Sequence, residues 1–212
     1  MKQSESEESL DPKEQWKNIL DKDILKDSIT AVALYITVFE LLEDTVKRRP
    51  KDFYTVLEFD EEAKKHYEDS VLSLYNKKAI PGINPSSKEL ISSLLWFKNC
   101  GAIDDNDINN FVDSRTLRNK VTHEMLTIIT EGGKQLIKQF ALMYALFCKI
   151  EKWWILEIEL PISGQFTDLT EEEQQGVMSG NMVLIQTIMD ILANDSNIHY
   201  KEICEELGVP VK

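Results

Sequence analysis

Between residues 23 and 49, Ile29, Val32, Ile36, Phe39, Leu42 and Val46 recur every three or four positions, the spacing that lays one apolar stripe along an α-helix. Lys47, Arg48 and Arg49 suit the carbonyl end of that helix, and Pro50, which has no amide donor, predicts its end. A weaker helical pattern through Tyr67, Val71, Leu74 and Tyr75 covers 60–78, and Pro81, Gly82 and Pro85 mark a turn after it. Ser86 with Glu89 three positions on predicts a capping box for a short helix carrying Ile91, Leu94, Leu95 and Trp96, closed by Gly101.

Asp104 or Asp105 then caps a helix through Ile108, Phe111 and Val112 that is expected to run to about residue 130, where Gly132-Gly133 interrupts. From 134 to about 158 the pattern is helical again and apolar nearly all round over 140–147, so that stretch must be covered by the bundle or by a second subunit. Beyond Pro161, Thr170 and Glu173 form another capping signal. Val183, Leu184, Ile188 and Leu192 support a further helix, and 200–207 a short last one before Gly208. Strand-like alternation is nearly missing, with 153–160 the one ambiguous run. The pattern predicts an all-α bundle over 15–164, an acidic flexible tail over 1–14, and an acidic helical C-terminal extension over 165–212.

A length of 212 residues suffices for one well-buried domain, and 42% hydrophobic with 29% charged residues is globular rather than disordered. No apolar run is long enough to cross a bilayer, and the acidic start lacks a secretory core, so no membrane association and a cytoplasmic location are expected. Cys100, Cys148 and Cys204 have no paired spacing and read as small buried apolar residues rather than a disulfide framework or a zinc knot.

The net charge of −13 argues against a general nucleic-acid-binding surface. Its placement changes that picture. Residues 1–14 carry −3 and residues 165–212 carry −7, leaving −3 on the body, where Arg115, Arg118 and Lys120 make a local basic spot. The acidic extension is expected to repel non-specific RNA or to dock on a basic partner.

Within that spot stand Arg118, Asn119 and His123. An imidazole can take or give a proton near neutral pH, and a guanidinium can hold a phosphate and the charge that grows on it. These are the groups that RNA phosphodiester cleavage needs. Asn119 and His123, four apart, share a helical face, whereas Arg118 lies about 140° around from His123. Its side chain either curls back or serves a site shared across a dimer. No Gly-rich phosphate loop, metal-ligand cluster or nucleophile elbow is present, and neither a metal nor a cofactor is expected.

The pattern Arg118-Asn119-x-x-x-His123, late in an all-helical chain, resembles the HEPN superfamily over residues 25–160. The resemblance implies a homodimer in which facing motif helices build a composite, metal-independent endoribonuclease site. Arg118, Asn119 and His123 would then be catalytic; Arg115 and Lys120 are expected to contact RNA by their charge alone, since their spacing is not diagnostic. The resemblance also implies a role in toxin–antitoxin or antiviral defence, with an antitoxin or regulatory protein as a partner. One toxin subgroup has a tyrosine two residues after the histidine, where this chain has Met125. Other members of the superfamily have lost catalysis and serve as dimerisation, RNA-binding or protein-binding modules, which is the alternative reading. On the bland reading Arg118 pairs with an acid such as Glu124 or Asp113, and His123 is a satisfied interface histidine.

Overall fold

A computed structural model describes residues 11–55, 61–75, 80–164 and 169–195, and every regular element among them is helical. Asp11 and Pro12 start α1 (Pro12–Leu20), a helix the apolar spacing did not predict. The Asp21 carboxylate accepts the Asp23 and Ile24 amides and opens α2 (Lys22–Thr55). The stripe of α2 is the spine of the molecule: Val32, Tyr35, Val38, Phe39, Leu42 and Val46 are buried, whereas Ile29 is half exposed. Helices α3 (Glu61–Ser70), α4 (Lys88–Asn99), α5 (Asp105–His123), α6 (Met125–Thr130) and α7 (Lys134–Trp154) all pack around it.

Pro50 does not end α2. The helix continues one turn further because its neighbours hold it: Arg49 is fastened to Glu151 and Glu159 of the closing segment. Phe53 packs against Trp96 and Trp154, with ring centroids 6.3 Å apart in each case. Tertiary contacts therefore outweigh the lost amide donor. The second predicted helix is shorter than its pattern, giving way after Ser70 to a 3₁₀ turn over Leu72–Leu74; residues 60 and 76–79 lie outside the described residues.

The expected capping box at Ser86 is absent. Ser86 instead gives both its amide and its hydroxyl to Asn84 Oδ1 at 2.9 Å, closing a side-chain turn, and α4 starts at Lys88. Its other end is as expected, with Gly101 at φ +78° and the Ala102 amide reaching back to the Phe97 carbonyl.

The apolar stretch of α7 is covered by the chain itself: Phe140, Ala141, Met143, Tyr144, Leu146, Phe147 and Cys148 are all buried among α2, α5 and their neighbours. After Trp154 the helix widens into a π-helical turn (Ile155–Glu159) and ends in α8 (Leu160–Ser163), so the ambiguous run is helical. The Thr170–Glu173 capping box opens α9 (Glu171–Gly176), and α10 (Gly180–Asp195) follows. In α10 the predicted stripe is partly rotated: Val183 and Leu184 are exposed and Ile188 packs against the core as expected, while Met182, Ile185 and Met189 join it. Cys100 is exposed rather than buried, and Cys148 is buried. The predicted helix over 200–207, the first ten residues, His199 and Cys204 lie outside the described residues.

Candidate functional site

Helix α5 presents the motif, and its start is fixed locally. Asp104 accepts the Asp107 amide at 3.0 Å and Asp107 returns the bond to the Asp104 amide at 2.9 Å. The Asp107 amide holds the Asp104 carboxyl below its ordinary range. Along its length α5 is fastened to α2 in antiparallel register. Phe111 stacks obliquely on Phe39 at 5.8 Å, and Tyr35 donates its hydroxyl to the Ser114 carbonyl at 3.0 Å. The Ser114 hydroxyl in turn accepts from Gln139 of α7 at 3.0 Å. These buried anchors set which face of α5 looks outward.

Contrary to expectation, α5 does not run on to residue 130. It stops at His123, where Glu124 adopts φ −123° and ψ 28°, and α6 leaves in a new direction. The break lets α6 bury Ile128 and pack against α1 and α2. It also makes His123 the last helical residue and leaves Met125 and Leu126 exposed beside it.

Asn119 and His123 lie on the exposed face of α5, and the His123 side chain makes no hydrogen bond or ion pair among the described residues. Arg118 points elsewhere. Its Nε donates to Glu40 Oε1 of α2 at 2.8 Å, Nη2 contacts the same oxygen, and Nη1 donates to Asn119 Oδ1 at 3.2 Å. The guanidinium also sits 5.9 Å above the Phe39 ring. The structure thus joins Arg118 to Asn119 but joins neither to His123. The acid that takes Arg118 is Glu40 rather than Glu124 or Asp113.

Arg115 occupies the next rung of the same ladder. It lies 3.7 Å from Glu43, whose carboxylate also meets Lys47 at 3.1 Å, and the Arg115 side chain is only 22% exposed. Lys120 is half-buried. Glu40 and Glu43 are the participants that sequence reasoning missed. They border the apolar stripe of α2 three positions apart, but only the α2–α5 register shows what they face.

A cleft of about 360 Å³ between α1, α2 and the α6–α7 turn is lined by Glu14, Lys17, Asp27, Glu131 and Gly133 and by none of the motif residues. Among the described residues no three His, Cys, Asp or Glu side chains cluster as metal ligands, and no helix is long and apolar enough to cross a membrane. The fold and this face define an all-α bundle carrying an arginine–amide–histidine surface. No protein-family model, curated protein or solved structure matches the chain.

Proposed function

We propose that this chain is a HEPN-type endoribonuclease that cleaves RNA by attack of a ribose 2′-hydroxyl on the adjoining phosphorus, as a cytoplasmic homodimer of toxin or antiviral-defence type. The observation that carries the reading is the pairing of an exposed histidine with an exposed amide one turn back, next to an arginine, at the end of a rigidly anchored helix. His123 takes the 2′-hydroxyl proton or delivers one to the departing 5′-oxygen. The 2′-oxygen–phosphorus bond forms as the phosphorus–5′-oxygen bond breaks, leaving a 2′,3′-cyclic phosphate and a 5′-hydroxyl. Arg118 neutralises charge on the non-bridging oxygens, and Asn119 orients the imidazole or the ribose. Arg115 and Lys120 contribute positive potential behind the motif.

The test is cleavage of labelled tRNA and mRNA in EDTA. His123→Ala and Arg118→Ala are each expected to slow the reaction by at least about a hundredfold while leaving the oligomeric state unchanged. Full activity in either variant refutes the assignment.

One observation favours a second reading, a non-catalytic dimerisation or RNA- or protein-binding module. Arg118 is already engaged by Glu40, as a structural arginine would be. On that reading the wild type cleaves nothing, and substituting His123 changes neither assembly nor binding.

A further inference from the structure

The Arg118 fork is the natural phosphate ligand of this surface, and a carboxylate of the same chain holds it. Glu40 Oε1 accepts from both Nε and Nη2, the edge of a guanidinium that would otherwise grip two phosphate oxygens. The pair is not sealed in the core: the Arg118 side chain is 33% exposed and that of Glu40 51%. Such a pair is held weakly and can be exchanged. Asn119 Oδ1 takes Nη1, so the amide of this exposed residue is committed to the arginine through its oxygen and keeps its NH₂ as a donor. Phe39 supports the guanidinium face from below, so the arginine needs only to swap one anion for another.

We infer that Glu40 is an internal stand-in for an RNA phosphate, occupying Arg118 in the free chain and displaced when the substrate backbone docks beside Asn119 and His123. The inference rests on the RNA-facing role proposed above for this surface and assigns it a built-in competitor. Glu40 touches no reacting atom; it sets how much of the Arg118 attraction the substrate receives. Without it a net charge of −13 would be opposed by a permanently open basic fork. With it, only a ligand that presents a phosphate together with groups for Asn119 and His123 recovers the arginine.

The experiment is a binding cycle on the full chain with a fluorescent 2′-O-methyl RNA oligonucleotide, which cannot be cleaved because its 2′-oxygen is blocked. Anisotropy is read for wild type, Glu40→Gln, Arg118→Ala and the double variant over a range of salt. Glu40→Gln is expected to bind about three- to fivefold more tightly than wild type, as fits release of a partly exposed ion pair. That gain should vanish in the Arg118→Ala background. The salt slope of Glu40→Gln should be steeper than that of the double variant by about 0.7, one released counterion on a single strand. Glu40→Ala serves as the second variant, and circular dichroism checks that each remains folded. Equal binding by Glu40→Gln and wild type, or a gain that survives loss of Arg118, overturns the proposal; so does the lack of any RNA binding. Cleavage of unmodified RNA is scored separately. Inactive wild type with an intact binding cycle removes the nuclease reading and leaves the Glu40 exchange standing.

Discussion

Tyr35 joins the two helices that carry the candidate site, and replacing it with phenylalanine tests the packing that positions α5. The ring is fully buried, and its hydroxyl donates to the Ser114 carbonyl at 3.0 Å. Removing the hydroxyl deletes one buried hydrogen bond. The Ser114 carbonyl keeps the partner of its own helical turn, so at pH 7 the cost is about 1 kcal/mol. Alkaline conditions reverse the comparison. Burial, with the Asp113 carboxylate adding to it, pushes the Tyr35 hydroxyl well above its ordinary value of 10, against an opposing contribution from Ser114. The folded chain therefore keeps this proton where the unfolded chain gives it up. The stability this confers is complete below pH 10 and is lost as pH rises from there toward the folded-state value, at about 1 kcal/mol per pH unit. Tyr67, pushed up to about 12 mainly by burial and then by Glu89, acts in the same direction. Urea unfolding followed by circular dichroism at pH 7, 10 and 11 measures both effects. The wild type should lose stability over this range more steeply than Tyr35→Phe, by about one proton, so that the two meet near pH 11. Parallel losses between pH 10 and pH 11 would refute the burial argument, and an unchanged midpoint at pH 7 would refute the hydrogen bond.

Gly82 stands at φ +85° against Val112 of α5, and a Cβ there would fall well inside contact distance of the valine Cγ1. Gly82→Ala is expected to cost about 2–4 kcal/mol from the left-handed backbone plus overpacking, and Val112→Ala in the same chain should return the steric share in urea melts. At the far end of α2, Glu151 is fully buried and meets Arg49 through both carboxylate oxygens at 3.0 and 3.1 Å. Glu151→Ala is expected to cost about 2–4 kcal/mol, because Arg49 keeps only Glu159 and the Trp154 face, whereas a Glu151→Met/Arg49→Met double variant should recover most of that loss by thermal denaturation.

The motif positions and their anchors differ in how far sequence alone reveals them. Arg118, Asn119 and His123 can be read as a constellation because helical spacing is a local rule. That Asn119 and His123 share one face follows from it, whereas the exposure of that face is set by the docking of α5 on α2 and α7. Nor does the partner of Arg118 follow from it, because Glu40 is 78 residues away and becomes a neighbour only through the antiparallel docking of α2 and α5. The same holds for Arg115 and Glu43. A truncation at Gly164, attractive if the extension is seen only as acidic sequence, would remove Met182, Ile185 and Met189 from the core.

Apolar periodicity with local cap and turn residues by itself determined the all-helical class, the stripe of α2, a cap at Asp104 or Asp105, the cap at Thr170, and the glycine breaks at 101 and 132–133, with the structure choosing Asp104. Each depends on backbone geometry and on neighbours within a few residues. Tertiary structure decided the passage of α2 through Pro50, the break after His123, the partly rotated face of α10 and the occupation of Arg118 by Glu40. In each of these a helix gives up a local preference, or a charged group takes a partner, that another element supplies from far along the chain. Most local propensities amount to fractions of a kcal/mol per residue, and the burial of one large side chain exceeds them. The cost of a proline inside a helix, about 3 kcal/mol, takes several contacts together, here the packing of Phe53 and the ion pairs of Arg49.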